Sequence, residues 1–135
     1  MSPEQQMVSA FHALVLGHPD PETLTLEGFP GELRCALIEE EAREFRAAVE
    51  AQDPVEMVDA LCDLLYVVYG AACQLGVDLE PFFREVHRTN MEKRNGSRRA
   101  DGKWIKPADW QPPRIAEMLQ ELYGYRPQTT AALSS

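Results

Sequence analysis

The chain has 135 residues, a formal net charge of −9 and a 44% share of hydrophobic residues. This length suits one domain with one core. The acidic charge argues against binding to nucleic acid polymers, which takes a basic surface. The longest apolar run, Leu64 to Cys73, has ten residues, whereas a membrane-spanning helix needs about 20. The N-terminus also lacks the pattern of a signal peptide, so we expect a cytoplasmic protein without membrane contacts.

The first half of the chain predicts three helices and little strand. They cover about residues 2–16, 31–52 and 53–76. The first and the third open with a serine or an aspartate followed by proline, a favoured N-cap with proline in the first turn. Residues 18–30 are rich in proline and glycine, which predicts a loop between the first two helices.

The second half predicts two more helices. The fourth covers about residues 78–94 and a short fifth covers 112–123, with a polar, turn-rich segment between them. Four substantial helices with short connections predict an all-α fold, an antiparallel four-helix bundle followed by a loop or hairpin and a short helix. We expect one domain over residues 1–124 and a flexible tail over residues 125–135.

The third predicted helix is apolar nearly all round, which predicts that it is buried. In a chain this small, part of that burial would come from another subunit, so we expect a homodimer or a homotetramer. Cys35, Cys62 and Cys73 lie in predicted helices with no CxxC spacing, and we interpret them as reduced core residues. Arg34 is expected to form an ion pair at the surface or at an interface.

Acidic residues interrupt the apolar faces of the second and third helices. Glu40, Glu41 and Glu44 border the apolar face of the second helix, and Asp59 and Asp63 are four residues apart on the third. A carboxylate at the edge of a core loses hydration and needs a cation. The third helix contains no Lys or Arg to supply one.

A short turn joins these two helices, so they must pack antiparallel, with Glu44 and Asp63 at similar distances from the turn. The carboxylates would then converge into an oxygen-only ligand set, which suits Mg²⁺ or Mn²⁺ rather than zinc. The alternative is that the acids are ordinary solvated charges of a helical bundle. Glu56 fits this alternative best, because acidic residues are favoured in the first turn of a helix.

Four motifs follow one another along the chain: EExxE at Glu40–Glu44, DALCDLLYVVYG at Asp59–Gly70, VHRTNMEK at Val86–Lys93 and DGKWIKP at Asp101–Pro107. Together they resemble the all-α NTP pyrophosphatases, which include MazG, the dimeric dUTPases and phosphoribosyl-ATP pyrophosphohydrolase. The resemblance is closest to a MazG-like subgroup that is similar to phosphoribosyl-ATP pyrophosphohydrolase, and it runs from about Val8 to Leu119.

The resemblance implies a bundle of the MazG-like type and a metal-dependent reaction. It implies that roughly two or three Mg²⁺ ions, for which Mn²⁺ can substitute, hold the triphosphate and activate water. The implied metal ligands are Glu40, Glu41, Glu44, Asp59 and Asp63, all but Asp59 also being catalytic. The family's second motif is often described as ExxD, a spacing that also fits residues 56–59, so the role of Glu56 stays open.

The implied reaction cleaves a nucleoside triphosphate between its α and β phosphates and releases a monophosphate and pyrophosphate. The family suggests dUTP or a non-canonical nucleotide as substrate, in a house-cleaning role. The non-enzyme alternative is a helical nucleotide-sensing or protein-interaction module on the same scaffold. A di-iron bundle is disfavoured because no Glu has a His three residues further on.

Basic residues follow the acidic half of the chain. Arg88, Asn90 and Lys93 lie near the end of the fourth predicted helix, and Lys103 and Lys106 belong to the loop that follows. We expect Asn90 to hydrogen-bond a base edge and the cations to bind phosphates. The loop would then form a lid, with a tryptophan stacking on the base. A solvated basic loop is the alternative.

Overall fold

The structure is a computed structural model and describes residues 1–128. It confirms the all-α class, with five α-helices and one short hairpin in that range. The helices are α1 (Pro3–Leu14), α2 (Gly31–Glu50), α3 (Pro54–Leu75), α4 (Leu79–Met91) and α5 (Ile115–Tyr123). The hairpin pairs β1 (Ser97–Arg98) with antiparallel β2 (Trp104–Ile105). The tail that was predicted over residues 125–135 lies, from residue 129 on, outside the described residues.

The predicted helix starts are confirmed for α1 and α3. The Ser2 side chain accepts from the N–H of Gln5 at 3.2 Å, and Asp53 accepts from two N–H groups of the first turn of α3. Gly76 ends α3 in the left-handed conformation, with φ of 79°. The short fifth helix begins at Ile115, later than predicted. The proline pair accounts for the exclusion of Pro112, because a residue before proline is disfavoured in the α conformation.

Contacts divide the chain into two compact units, Met1–Leu79 and the residues from Glu80 on. In the first unit, α1 and α2 both pack against α3. The turn between α2 and α3 reverses the chain through Gln52, whose φ is 54°. Small residues of the two helices, including Ala48 and Ala60, are buried where they meet. The single domain over residues 1–124 stays a prediction.

Arg34 lies inside the first unit, which corrects the prediction of an ion pair at the surface or an interface. Its side chain is 7% exposed, and its Nη2 donates to the carbonyl of Val67 at 2.7 Å. Gly70 makes room for the guanidinium, because a Cβ there would lie 2.1 Å from Nη2. No salt bridge to Arg34 occurs among residues 1–128. A hydrogen bond from the buried Arg34 guanidinium therefore links α2 to α3.

Only part of α3 is covered within one chain. Val58 is 62% exposed and Leu65 is 55% exposed. The prediction left part of this helix to be covered by another subunit, and that burial stays a prediction. The core assignment of the cysteines is correct only for Cys73 within one chain, since Cys35 and Cys62 are exposed. By length and composition alone, α3 also qualifies as a membrane-spanning helix, a test that core helices of soluble proteins pass too.

The second unit is held together by side chains that bond to backbone. The Trp110 ring N–H donates to the carbonyl of Thr89 at 2.6 Å, and the Trp104 ring N–H donates to that of Lys93. The Arg114 N–H donates to Glu85 Oε2 at 2.8 Å. These bonds attach the hairpin and the start of α5 to the helix that precedes them.

Candidate active site

Three of the predicted acidic residues converge between α2 and α3. Each of Glu41, Glu44 and Asp63 contributes a carboxylate oxygen to a group whose atoms lie within 4.8 Å of one another. Glu41 and Glu44 are neighbours because residues three apart share a face of a helix. Asp63 meets them because the 51–53 turn folds α3 back along α2. We call these three residues the acid cluster.

No ion pair with a residue of the acid cluster occurs in the part of the chain that the structure describes. The Glu41 Oε2 atom is buried and has no hydrogen-bond partner among the described residues. Burial raises the pKa of Glu41, and so do the bond to Glu44 and the charges of Glu44, Asp63 and Glu40. Burial also raises the pKa of Asp63, with further contributions from Asp59 and Glu44. Like charges brought together in this way favour protonation unless a cation is present.

The chemistry of the acid cluster fits Mg²⁺ or Mn²⁺. All of its donors are carboxylate oxygens, the ligands that these hard cations prefer. The unpartnered Glu41 oxygen is a free lone-pair donor in a partly dehydrated position. No Lys or Arg lies between Arg46 and Arg84, so α3 offers no basic side chain to compete with a metal ion.

A cavity of about 370 Å³ adjoins the acid cluster on the side of the interhelical turn. It is lined by Glu44, Ala47, Ala48, Ala51, Asp53, Glu56, Asp59 and Ala60. Glu44 therefore belongs both to the acid cluster and to the cavity wall. This cavity was not predicted from the sequence, although alanines that recur at helical spacing on α2 are a signal for a shallow surface between helices. The wall of the cavity also contains Asp53 and Glu56, two acidic residues outside the acid cluster.

The five predicted metal ligands are not equivalent in the structure. Glu41, Glu44 and Asp63 form the acid cluster, whereas Asp59 lines the cavity beside it. Glu40 is exposed and stands outside the cluster. Its charge contributes to the raised pKa of Glu41, and its role as a ligand stays a prediction.

A second cavity, of about 440 Å³, lies within the second unit and is lined largely by cations. Its walls are Lys93, Arg99, Lys103, Trp104, Ile105 and Lys106. The ammonium groups of Lys93 and Lys106 lie 4.8 and 4.6 Å from the centre of the Trp110 ring. Cation–π contacts at these distances hold both cations near one aromatic ring. We call this the basic cavity.

The structure separates the other predicted substrate-binding residues from the basic cavity. Arg88 is paired along its own helix, with contacts of 2.7 Å to Glu85 and 2.6 Å to Glu92, and it does not line the cavity. Asn90 accepts a hydrogen bond of 2.8 Å from the Lys93 ammonium. The sequence predicted the basic character of this segment, but not which of its cations were already paired.

The helical fold is consistent with the class of the MazG-like all-α NTP pyrophosphatases. The sequence model of the phosphoribosyl-ATP pyrophosphohydrolase family matches residues 8–90, more than half of the chain. The chain belongs to this family, within the MazG-like all-α NTP pyrophosphatase superfamily. A search of curated proteins finds no match. The matched range includes every residue of the acid cluster and ends before the basic cavity begins.

Proposed function

We propose that this pyrophosphohydrolase is Mg²⁺-dependent and cleaves the α–β phosphoanhydride of a nucleoside triphosphate, giving a monophosphate and pyrophosphate. The buried, unpartnered oxygen of Glu41 is the observation that carries the proposal. A carboxylate in that position is costly without a cation, and the family has a phosphoanhydride as its substrate. The acid cluster is thus suited to a metal that also contacts phosphate.

Glu41, Glu44 and Asp63 would hold the metal, with Asp59 beside them and Glu40 as an outer charge. Bound Mg²⁺, for which Mn²⁺ can substitute, would neutralise phosphate charge and lower the pKa of a coordinated water. The protein's part is to keep these carboxylates at fixed positions on two packed helices. Glu44, which reaches the adjoining cavity, is the residue placed to orient a water molecule.

The cavity beside the acid cluster suits the nucleoside part of the substrate. Its volume of about 370 Å³ falls in the usual range for small-molecule sites, and four alanines give it an apolar wall. A planar base can pack on such a wall, whereas a bulkier side chain at any of these positions would fill it. The proposed substrates are dUTP and non-canonical nucleotides, consistent with a house-cleaning role.

The basic cavity is proposed to bind phosphate oxygens. Lys103 is exposed, and its side chain takes part in no described ion pair. Lys93 and Lys106 are held against Trp110, so their positive charges are already oriented. Arg88 and Asn90 would contribute only after exchanging their present partners for a ligand.

We further propose that the protein is a homodimer or a homotetramer in the cytoplasm. Val58, Leu61, Cys62 and Leu65 recur at helical spacing on α3 and are all exposed in one chain. A second copy of α3 would cover this stripe with an equally apolar surface. A bilayer is the poorer occupant, because Asp63 near the middle of α3 would then lie at the costliest depth.

The proposal is tested by measuring pyrophosphate release from a panel of canonical and modified triphosphates with Mg²⁺, Mn²⁺ or EDTA. We expect metal-dependent release from at least one of them, lost in Asp63→Asn and retained in Asp109→Asn, a control that changes an exposed aspartate in the second unit. Nucleotide binding without turnover on the whole panel would favour the sensing module instead.

A further inference from the structure

A second group of metal-binding side chains lies in the first unit, apart from the acid cluster. His12, Asp20 and Cys73 each contribute one atom to a set whose members lie within 4.8 Å of one another. They come from three elements, α1, the loop that precedes α2, and α3. None of the three belongs to the proposed phosphohydrolase site.

This group is more enclosed than the acid cluster. His12 is 3% exposed and Cys73 is 2% exposed, while the Asp20 side chain is 15% exposed. His12 Nδ1 lies 3.0 Å from Asp20 Oδ1, so the two side chains already face each other. The Cys73 thiol makes a long contact of 3.7 Å to the Gln5 carbonyl and also hydrogen-bonds the Asp20 carboxylate.

A cation bound by this group has to offset the cost of deprotonating Cys73. Burial, followed by the charge of Asp20, raises the pKa of the Cys73 thiol to about 12. The thiol is therefore protonated when no metal is bound. As a thiolate, Cys73 together with Asp20 would carry two negative charges, which a divalent cation balances. The charge of the nearby Arg34 guanidinium, in contrast to burial and to Asp20, favours the thiolate.

The donor types select a different metal from that of the acid cluster. Nitrogen, carboxylate oxygen and thiolate sulfur together suit Zn²⁺, whose ligands lie at about 2.0–2.3 Å in a tetrahedron. Two ligand atoms of such a tetrahedron lie roughly 3.3–3.8 Å apart. The three atoms of this group lie within 4.8 Å of one another, so side-chain movements of about 1 Å would bring them to the tetrahedral distances. His18 lies outside the group of three, but it is exposed and its ring centre is 5.6 Å from that of His12, which makes it the candidate for a fourth ligand.

We propose that His12, Asp20 and Cys73, with His18 completing the set, form a structural Zn²⁺ site. Binding breaks the S–H bond of Cys73, forms a Zn–S bond and releases one proton to solvent. The bound ion ties the loop before α2 to both α1 and α3. The inference does not depend on the proposed hydrolytic function.

The test uses Co²⁺ as a spectroscopic probe on the full-length protein, purified in the presence of a chelator and then freed of it. We expect one equivalent of Co²⁺ to produce a thiolate-to-cobalt charge-transfer band and the intense visible bands of four-coordinate cobalt. Addition of Zn²⁺ should abolish both. Titration in weak buffer should release about one proton per ion bound.

Variants assign the bands to this site. Cys73→Ser should lose the charge-transfer band, whereas the double variant Cys35→Ser/Cys62→Ser should keep it. Glu41→Gln should also keep it, which separates this site from the acid cluster. His18→Ala changes an exposed residue, and it should weaken Co²⁺ binding about tenfold or more.

Two results would overturn the proposal. One is the absence of a charge-transfer band at saturating Co²⁺, which would make the group a hydrogen-bonded network only. The other is a band that survives in Cys73→Ser and disappears in the double cysteine variant. Unchanged affinity in His18→Ala would remove His18 from the ligand set.

Discussion

The contact between Arg34 and Gly70 determines whether replacing Gly70 stabilises or destabilises the protein. Replacing Gly70 by alanine adds a Cβ that would lie 2.1 Å from Arg34 Nη2 and 3.0 Å from its Cζ. Both distances are far below normal contact. The guanidinium cannot yield freely, because it is buried and its Nη2 donates a 2.7 Å hydrogen bond to the Val67 carbonyl.

The magnitude follows from three competing effects. Helix propensity favours alanine over glycine by about 1 kcal/mol. Overpacking costs about 1–3 kcal/mol, and loss of a buried hydrogen bond from a charged donor costs about 1.5–3 kcal/mol. Because these terms are not fully additive, we expect Gly70→Ala to lower the free energy of unfolding by about 2–3 kcal/mol.

The assay is urea denaturation followed by far-ultraviolet circular dichroism, at one protein concentration because assembly affects apparent stability. The control is the same substitution in an Arg34→Met background, where the guanidinium is absent. There, Gly70→Ala should be neutral or stabilising by up to about 1 kcal/mol. A stabilising effect of Gly70→Ala in both backgrounds would refute the reasoning and place the arginine elsewhere.

Three further predictions concern pH, thiol chemistry and assembly. Hydrogen bonds from Arg88 and from the backbone of Arg114 lower the pKa of Glu85 to about 2 from an ordinary 4.5. Its stabilising contribution is therefore complete above about pH 4.5 and lost as pH falls towards 2. Glu85→Gln should lower the Tm at pH 7, by an amount that shrinks across that window. Cys73, with a pKa of about 12, should resist iodoacetamide at pH 8 in the folded protein, as read by peptide mass spectrometry. Leu65→Lys should shift the protein towards monomers in sedimentation velocity, because Leu65 is 55% exposed in one chain.

For each of these three predictions, a control or a contradicting result can be stated. A Tm difference for Glu85→Gln that is constant from pH 7 to pH 2 would contradict the assignment of the low pKa. Full alkylation of Cys73 without unfolding would show that it is accessible, whereas denatured protein should react at all its cysteines. Leu26→Lys, at a residue 63% exposed outside α3, should leave the assembly unchanged. Dissociation by both lysine variants would mean that α3 is not the interface.

The features that could be predicted from the sequence are those encoded locally. Ser2 and Asp53 act as N-caps through bonds to residues two or three positions away, so a short window contains the whole signal. The acid cluster was predictable for a related reason. A short turn and a helical repeat are enough to bring Glu44 and Asp63 to the same height.

The features that were missed depend on contacts between distant parts of the chain. Asp20 lies in a loop with no periodicity, so nothing in its neighbourhood indicates that it meets Cys73. Arg34 could not be placed inside the chain without knowing that the missing side chain of Gly70 faces it. The apolar character of α3 predicted a covered surface, but periodicity does not tell whether the same chain or a second copy covers it.

The central claim is that the acid cluster binds the metal needed for hydrolysis. The most direct measurement compares kcat/KM of Glu41→Gln and Glu39→Gln at saturating Mg²⁺, on the best substrate of the panel. Both variants replace a glutamate of α2 by its amide, but Glu39 is exposed and lies outside the cluster. We predict a loss of about 100-fold or more for Glu41→Gln, equivalent to about 2.7 kcal/mol, and little change for Glu39→Gln. Equal activity in the two variants would contradict the account.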